Sequence, residues 1–310
     1  MPTIVAIAVG LAGVAAAIVI VDRLAPAVAA RGWLALERRR AGLSLRRARV
    51  AGFEMPYLDG GRGEPLVLVH GFGGDKDNFT RLAAHLGSHL RLIIPDLPGF
   101  GDAGRDPTAS YHIDAQVERL RAFIVGLGLD AVHLGGNSMG GFIAAQYAAT
   151  YPDAVRSLWL LDAAGTALAH ETAVIKHYLA TGELPLLLHR VEDYGALLHA
   201  VMHRPPPLPY SLRHTLALRA VGDLALHARI FREIGLESPT LEDRLSLIRA
   251  PTLVVWGQDD RILNPAAAGA LQARIARAEV DLMAATGHVP MIERPRATAR
   301  AYLRFLAAPP

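Results

Sequence analysis

The sequence predicts an α/β fold in which a mostly parallel sheet is covered by helices on both faces. Short apolar runs recur along the chain, and helix-length segments separate several of them. Strands that are apolar on both sides are typical of parallel sheets buried between layers of helices. The 310 residues suffice for one α/β domain of roughly 260 residues together with a separate N-terminal segment.

The strands are predicted in chain order from these runs. FEMPYLDGG, residues 53–61, is expected to be an antiparallel strand near the sheet edge. Six apolar runs follow, at residues 66–70, 90–96, 131–137, 155–162, 251–257 and 280–285. Segments between several of these runs have helical patterns, and one of them, SMGGFIAAQYAATYP, stops at Pro152 because proline cannot continue a helix.

The alternation of strands and helices breaks between Ala163 and about Ile248. These roughly 85 residues are rich in Leu and His, and they are too long for an ordinary loop. We therefore expect a helical cap at about residues 163–248, inserted after the strand at residues 155–162.

Composition and charge exclude several classes of function. Because the chain has no cysteine, it has no disulfide, no thiolate nucleophile and no cysteine metal ligand. Residues 22–49 hold eight Arg against Asp22 and Glu37, a local charge of +6, so residues 50–310 sum to −3 within the overall +3. The body therefore has no basic footprint for nucleic acid, and the basic block instead indicates an anionic membrane surface.

The amino terminus predicts a membrane anchor. Thr3 to Val21 is an uncharged run of nineteen residues. As a helix it would reach roughly 28 Å, close to the thickness of the hydrocarbon core of a bilayer. Arginines follow the run, which favours a single span with the catalytic part in the cytoplasm. In RGWLALERRRAGLSLRR, the apolar Trp33, Leu34 and Leu36 beside arginines indicate an interfacial helix.

A cleaved signal peptide, with a secreted or periplasmic product, is the alternative to this anchor. Ala27-Val28-Ala29 is similar to a signal-peptidase site. No Lys or Arg precedes the apolar run, however, and the run is longer than the roughly 7–15 residues usual in a signal core. The predicted organisation is an anchor with a basic juxtamembrane segment at residues 1–48, followed by the α/β domain at residues 49–310.

One serine stands in a motif that presents nucleophiles. Gly136-Asn137-Ser138-Met139-Gly140 matches G-x-S-x-G at a predicted strand-to-helix junction, which is the context this motif requires. Glycine fits a sharp turn where side chains would collide. Ser138 can also be read as a small residue in a tight turn, because Gly- and Ser-rich turns are common. Other segments must therefore supply a base, since a serine hydroxyl is a poor nucleophile at neutral pH.

A base and an acid follow the last two predicted strands. His288 ends ATGH after the last strand, and Asp260 ends WGQDD after the strand before it. A histidine at the carboxyl edge of the sheet can deprotonate Ser138, and a carboxylate can orient the imidazole. Asp259, next to Asp260, and Asp162, at the end of the strand at residues 155–162, are alternative carboxylates.

The segment HGFGG, at residues 70–74, follows the strand at residues 66–70. The backbone N–H of Phe72 is predicted to pair with that of Met139 as an oxyanion hole, directed at the negative charge of a tetrahedral intermediate. His70 is expected to brace this loop rather than to react.

Over residues 49–310 the chain resembles the α/β-hydrolases, because the elbow, HGFGG, WGQDD and TGH occur in the order of that family. The resemblance implies an α/β-hydrolase fold with an eight-stranded, mostly parallel sheet and an inserted helical cap. It also implies that Ser138 is the nucleophile, Asp260 the acid and His288 the base of a catalytic triad.

Two branches of the family share further segments with this chain. GNSMGG and DLPGFG occur in the branch that cleaves carbon–carbon bonds of ring-fission products. That branch usually has Trp after the histidine and Asn after DxPGF, where this chain has Val289 and Gly101. More of the chain is similar to the membrane-anchored monoacylglycerol lipases and related bacterial lipases, through the N-terminal span, the connector WLALERRRAGL, HGFGG and the ending VDLMAATGHVPMIERPRATARAYLRFL.

The lipase resemblance implies a serine hydrolase of lipid esters, most of all monoacylglycerols, that needs no metal or organic cofactor. Its partners would be the lipid ester and the membrane, with no nucleic acid. Leucines of the cap could wall an acyl-chain tunnel or only attach the cap to the sheet. The alternatives are a carboxylesterase for smaller esters, a carbon–carbon bond hydrolase, and a non-enzymatic membrane-bound binding or scaffold protein.

Overall fold

The computed structural model describes residues 16–308. Its central sheet has the strand order β1-β2-β4-β3-β5-β6-β7-β8. The strands are β1 (Leu43–Val50), β2 (Phe53–Gly61), β3 (Glu64–Val69), β4 (Leu90–Pro95), β5 (Val132–Asn137), β6 (Val155–Leu161), β7 (Thr252–Gly257) and β8 (Ala278–Met283). Strand β2 pairs antiparallel with β1 and β4, and all other pairs are parallel. The predicted mostly parallel eight-stranded sheet is confirmed.

Helices cover both faces of this sheet. The α-helices are α1 (Pro26–Arg40), α2 (Thr80–Ala83), α3 (Ile113–Gly126), α4 (Met139–Thr150), α5 (Ala173–Thr181), α6 (Tyr194–Val201), α7 (Tyr210–Gly222), α8 (Leu224–Arg232), α9 (Ala267–Arg274), α10 (Pro290–Glu293) and α11 (Pro295–Ala307). Val67 and Val69 of β3 belong to the cluster that contains the buried residues of α3, α4 and α9. Leu66 and Leu68 belong to the opposite cluster, with those of α2 and α11. Alternate side chains of one strand therefore enter two cores, as the apolar runs predict.

Strand β1 was not predicted from the sequence. Its residues LSLRRARV are mostly exposed, and only Leu43 and Val50 are buried. Arg46 lies 3.2 Å from Asp59 of β2, so one of the arginines assigned to a basic juxtamembrane segment contributes to the sheet edge. The predicted domain boundary between residues 48 and 49 lies inside β1. The strand is hard to recognise in the sequence because charged side chains on an edge strand conceal its apolar pattern.

The chain between β6 and β7 forms the cap over the sheet. It contains α5, α6, α7 and α8, and no strand occurs within residues 163–250, all of which the structure describes. Ion pairs attach this cap to the loops below it. The Arg105 guanidinium donates two hydrogen bonds, of 2.7 and 2.6 Å, to the Asp223 carboxylate between α7 and α8. The cap is thereby held over the carboxyl edge of the sheet.

The N-terminal segment packs against this cap. Residues 16–24 are helical, and α1 follows after a bend at residue 25. The Asp22 carboxylate accepts a hydrogen bond from the backbone N–H of Ser211 at 3.2 Å, and the Arg23 guanidinium lies 4.6 Å from the centre of the Tyr210 ring. Both partners begin α7.

The predicted span, Thr3–Val21, lies largely outside the described residues. Within residues 16–308, no helix has the length and apolar character needed to cross a bilayer. Residues 18–21 and Leu24 expose apolar side chains, with Leu24 81% exposed.

Candidate active site

Ser138 lies at the turn between β5 and α4, with φ 54° and ψ −118°. Its backbone is held on both sides, because its N–H donates to Leu161 O and its carbonyl accepts from Ala164 N, both at 3.0 Å. A Cβ at Gly140 would lie 2.1 Å from Val69 O, and one at Gly136 would lie 2.1 Å from Gly140 O. The turn is therefore possible only with glycine at both positions, as expected for a sharp elbow.

His288 and Asp260 are joined at the same edge of the sheet. The Nδ1 atom of His288 lies 2.8 Å from Oδ2 of Asp260, and both residues are buried. The backbone N–H groups of Ile262 and Leu263 donate to Oδ1 of Asp260 at 2.8 and 3.1 Å, and the Trp256 indole donates to Oδ2 at 3.1 Å. These three donors hold the Asp260 side chain in place, with Oδ2 aimed at the imidazole of His288.

The structure brings Ser138 and His288 to the wall of one cavity. Within the described part of the chain, no hydrogen bond joins their two side chains. In enzymes without substrate such catalytic hydrogen bonds are often long, and they tighten only when substrate binds.

Asn137, the residue before the nucleophile candidate, ties the elbow to the histidine loop. Its side-chain Nδ2 donates to His288 O at 2.9 Å and to Leu161 O at 3.1 Å. Asn137 occupies the first variable position of G-x-S-x-G. The only indication of this role in the sequence is that a buried amide beside a nucleophile needs hydrogen-bond partners.

The loop HGFGG packs directly on the elbow. A Cβ at Gly71 would lie 3.0 Å from Asn137 Oδ1 and 3.3 Å from Ser138 Cβ, so the backbone approaches the serine closely. His70 braces this loop: its Nδ1 donates to Gly71 O at 2.8 Å, and its Nε2 accepts from Leu97 N at 3.0 Å. Burial lowers the pKa of His70 to about 4, so the ring is neutral.

Charged residues that the sequence analysis did not single out hold the segment after this loop. The Arg219 guanidinium of α7 donates to the Asp75 carboxylate. Burial alone would raise the pKa of Asp75, but the charges of Arg219 and Lys76 outweigh it and lower that pKa to about 2. The Arg38 guanidinium of α1 donates to both oxygens of Asp77, at 2.6 and 2.5 Å.

The cap and the N-terminal helix therefore both hold the loop that carries Phe72. The indication of these ion pairs in the sequence is DKD directly after HGFGG, where three charges interrupt a segment that must lie close to the sheet. Distant arginines pair with two of them, and sequence spacing does not reveal such partners.

Two cavities meet at Ser138, which lines both, as does Phe72. The first has about 200 Å³ and also contains His288. It extends between the cap and α1, where Leu34 and Glu37 line it. The second has about 220 Å³, contains Met139 and lacks His288. Its walls are mostly apolar, and they include Phe142, Ile175, Leu179, Phe231, Ile262 and Leu263.

Comparisons with known proteins agree with this architecture. The family model of the alpha/beta hydrolase fold matches residues 64–182. Lipase 1 of Psychrobacter immobilis is 40% identical over 279 residues, which cover 87% of this chain and 86% of that lipase. Monoacylglycerol lipase ABHD6 of Homo sapiens is 30% identical over 291 residues, which cover 87% of this chain and 84% of that protein.

Among solved structures, the crystal structure of a membrane phospholipase A, described as a bacterial virulence factor, has a TM-score of 0.89 and 40% identity. The match covers 99% of this chain and 98% of that chain. The sheet order and the sharp strand-to-helix turn define an α/β protein of the hydrolase type. The chain belongs to the α/β-hydrolase fold family, where its relatives include bacterial lipases and monoacylglycerol lipases. These relatives support an ester hydrolase of this type.

Proposed function

We propose that this protein is a serine hydrolase of lipid carboxylic esters that works by two-step acyl transfer. The observation that carries the proposal is the buried His288–Asp260 pair, which lies at the same sheet edge as Ser138. A serine that was only a small turn residue would need no oriented imidazole in its cavity. Relatives that are lipases support the assignment.

In the first step, His288 takes the proton of Ser138 Oγ while Oγ attacks the ester carbonyl carbon. Backbone N–H groups of Phe72 and Met139 would donate to the oxyanion of the tetrahedral intermediate. Asp260 accepts from Nδ1–H of His288, which leaves Nε2 free as the base and stabilises the imidazolium. His288 then protonates the leaving alcohol as the carbon–oxygen bond breaks. Water, activated by the same histidine, releases the fatty acid and restores Ser138.

The transfer of a proton from His288 to the leaving alcohol indicates which cavity takes the alcohol and which takes the acyl chain. Because His288 must reach the leaving oxygen, the alcohol occupies the first cavity, which His288 lines. The acyl chain then extends into the second, apolar cavity, which lacks His288. Each methylene buried there would contribute about 0.8 kcal/mol. Monoacylglycerols, with a small polar alcohol and one long chain, fit this division.

The acyl assignment predicts a dependence on chain length. We expect kcat/KM for p-nitrophenyl esters to rise from butyrate to octanoate, by up to roughly two-hundredfold for four added methylenes. Ile175→Trp, in the second cavity, should flatten this rise by about tenfold at octanoate, because the new ring fills the space for the chain. Leu198→Trp, in the first cavity, is the matched control and should preserve the chain-length profile while weakening esters of bulky alcohols.

A flat or falling profile in the wild-type protein would remove the lipase assignment and favour an esterase for small esters. Equal effects of the two tryptophans on chain length would contradict the division into acyl and alcohol cavities. Wild-type protein that neither hydrolyses esters nor reacts with a fluorophosphonate would favour the scaffold alternative.

A phospholipid or lysophospholipid is a second candidate substrate, favoured by the reach of the first cavity to Glu37 and Arg81 near α1. One 40% identical relative is a membrane phospholipase A. Turnover of a monoacylglycerol and a lysophosphatidylcholine with the same acyl chain distinguishes the two substrates.

We also propose that the N-terminal segment is retained and anchors the protein to a membrane, with the catalytic domain in the cytoplasm. A signal peptidase acting after Ala29 would cut α1, whose Ala30 is buried. It would also remove the contacts of Asp22 and Arg23 with α7.

The anchor predicts that the full chain stays with the membrane fraction at high salt and high pH, since apolar insertion is not screened by ions. N-terminal sequencing of the expressed protein is the control. A mature chain that begins near Ala30 would overturn both the anchor and the cytoplasmic orientation.

A further inference from the structure

Asp162 is a fully buried acid that the proposed reaction does not use. It directly follows β6 and is 0% exposed. Its backbone has φ 44°, in the left-handed region that Asp and Asn enter more readily than most residues. Its N–H donates to Val255 O, and its Oδ1 accepts from Gly257 N, both at 2.9 Å. Asp162 is thereby attached to the end of β7, the strand that leads into Asp260.

A carboxyl oxygen of Asp162 lies close to the acid–base pair, and the second oxygen has no donor among residues 16–308. Oδ2 is buried, and among the described residues nothing donates a hydrogen bond to it. One ligand atom each from Asp162, Asp260 and His288 lie within 4.8 Å of one another. Two buried carboxylates this close cannot both ionise without a large cost. A buried carboxyl oxygen beside another carboxylate needs no donor if it carries a proton itself, because it then donates a hydrogen bond.

We propose that Asp162 stays protonated at neutral pH and donates a hydrogen bond from Oδ2 to Asp260, which makes it a positioning residue for the base His288. This inference rests on the proposed acyl-transfer function.

The shared proton belongs to Asp162 because the two acids have different surroundings. Asp260 accepts from the Trp256 indole and from two backbone N–H groups, and it faces the imidazole. Asp162 has the N–H of Gly257 alone. Donors stabilise a carboxylate, so the negative charge settles on Asp260. In agreement, burial raises the pKa of Asp162 well above its ordinary value, and the charge of Asp260 raises it further.

The hydrogen bond would affect the basicity of His288 as well as its position. By withdrawing charge from Asp260, it would limit the stabilisation that Asp260 gives to the His288 imidazolium. The third acid that acts on Asp162 is Glu293, whose Oε1 accepts from Gly287 N at 2.8 Å. Asp260 and His288 lie beside Asp162, and the charge of Glu293 acts on it as well.

Asp162→Asn tests the protonation state directly. Asn fits the positive φ, accepts from Gly257 N through Oδ1 and donates to Asp260 through Nδ2, so it reproduces a protonated Asp. With p-nitrophenyl butyrate we expect kcat/KM within about threefold of wild type. The acidic limb of the pH profile should not move. If Asp162 is ionised in the wild type, Asn removes a negative charge near His288 and moves that limb to lower pH by about one unit, which would overturn the proposal.

Asp162→Gly tests the donor. Glycine also fits the positive φ but donates nothing to Asp260, so we expect kcat/KM to fall about tenfold. The acidic limb of the pH profile should move to higher pH, because Asp260 without this hydrogen bond stabilises the His288 imidazolium more strongly. Unchanged rate and limb in Asp162→Gly would overturn the positioning role. Ester turnover by the wild type and its loss in Ser138→Ala are measured first, so that a failure of the proposed function is recognised separately.

Discussion

Ser138→Ala is expected to lower kcat for ester hydrolysis by at least about 10⁴-fold while the protein stays folded and binds its substrate. Only the hydroxyl is lost. Ala must adopt the same positive φ as Ser138, so the change removes the nucleophile without adding backbone strain. Fluorophosphonate labelling should disappear together with turnover. Binding is checked by the rise in Tm that a long-chain ester produces when it binds only the folded state.

Ser211→Ala is the matched control for this change. Ser211 is fully buried in α7, and its Oγ has no hydrogen-bond partner among the described residues. Removing that hydroxyl should leave turnover unchanged and stability equal or slightly higher, because a buried unpaired hydroxyl is unfavourable. Turnover that survives in Ser138→Ala would return Ser138 to the role of a small residue in a tight turn. A binding or scaffold protein would show ligand binding in both variants and turnover in neither, nor in the wild type.

The sheet could be predicted because its strands are buried on both faces. Runs such as LVLVH and PTLVVWG carry an unbroken apolar signal that short exposed strands lack. Strand β1 shows the limit: only Leu43 and Val50 are buried, and arginines occupy its exposed positions. Such a strand is defined by its pairing with β2, and pairing is a long-range property that local composition does not record.

The site was predictable to the extent that its residues follow strands. Ser138 comes directly after a predicted strand, and Asp260 and His288 each lie three residues beyond the end of one. Parallel neighbours deliver such residues to one edge. The contacts that hold these residues were not predictable. Asn137 reaches a carbonyl 151 positions away, and Arg38 reaches Asp77 across the gap between the N-terminal helix and the sheet. These partners depend on how separate elements pack.

The Arg38–Asp77 pair links the proposed membrane anchor to the loop that carries Phe72. Arg38 lies in α1, while Asp77 lies five residues after Phe72, the proposed oxyanion donor. Glu37 and Leu34 of the same helix line the cavity that holds Ser138. Helix α1 is therefore part of the proposed substrate site.

Asp260→Asn is expected to lower kcat by about 10³- to 10⁴-fold through the wrong tautomer of His288. The amide orientation is set by its neighbours: Ile262 and Leu263 N–H groups must face the amide oxygen, as they face Oδ1 of Asp260. The amide nitrogen is then directed at His288 Nδ1, which must become an acceptor. The proton moves to Nε2, and the imidazole can no longer take the proton of Ser138.

Asp259→Asn is the matched control, because it makes the same change one residue away. Asp259 is partly exposed and lies 3.0 Å from Nδ1 of His203 in the cap, away from the acid–base pair. A surface pair of this kind is worth at most about 1 kcal/mol, so turnover should stay within about twofold of wild type. Both proteins are compared by kcat on one soluble ester and by Tm. A large loss in Asp259→Asn with near-normal turnover in Asp260→Asn would exchange the roles of the two acids. Near-normal turnover in both variants would mean that neither carboxylate is needed to orient His288.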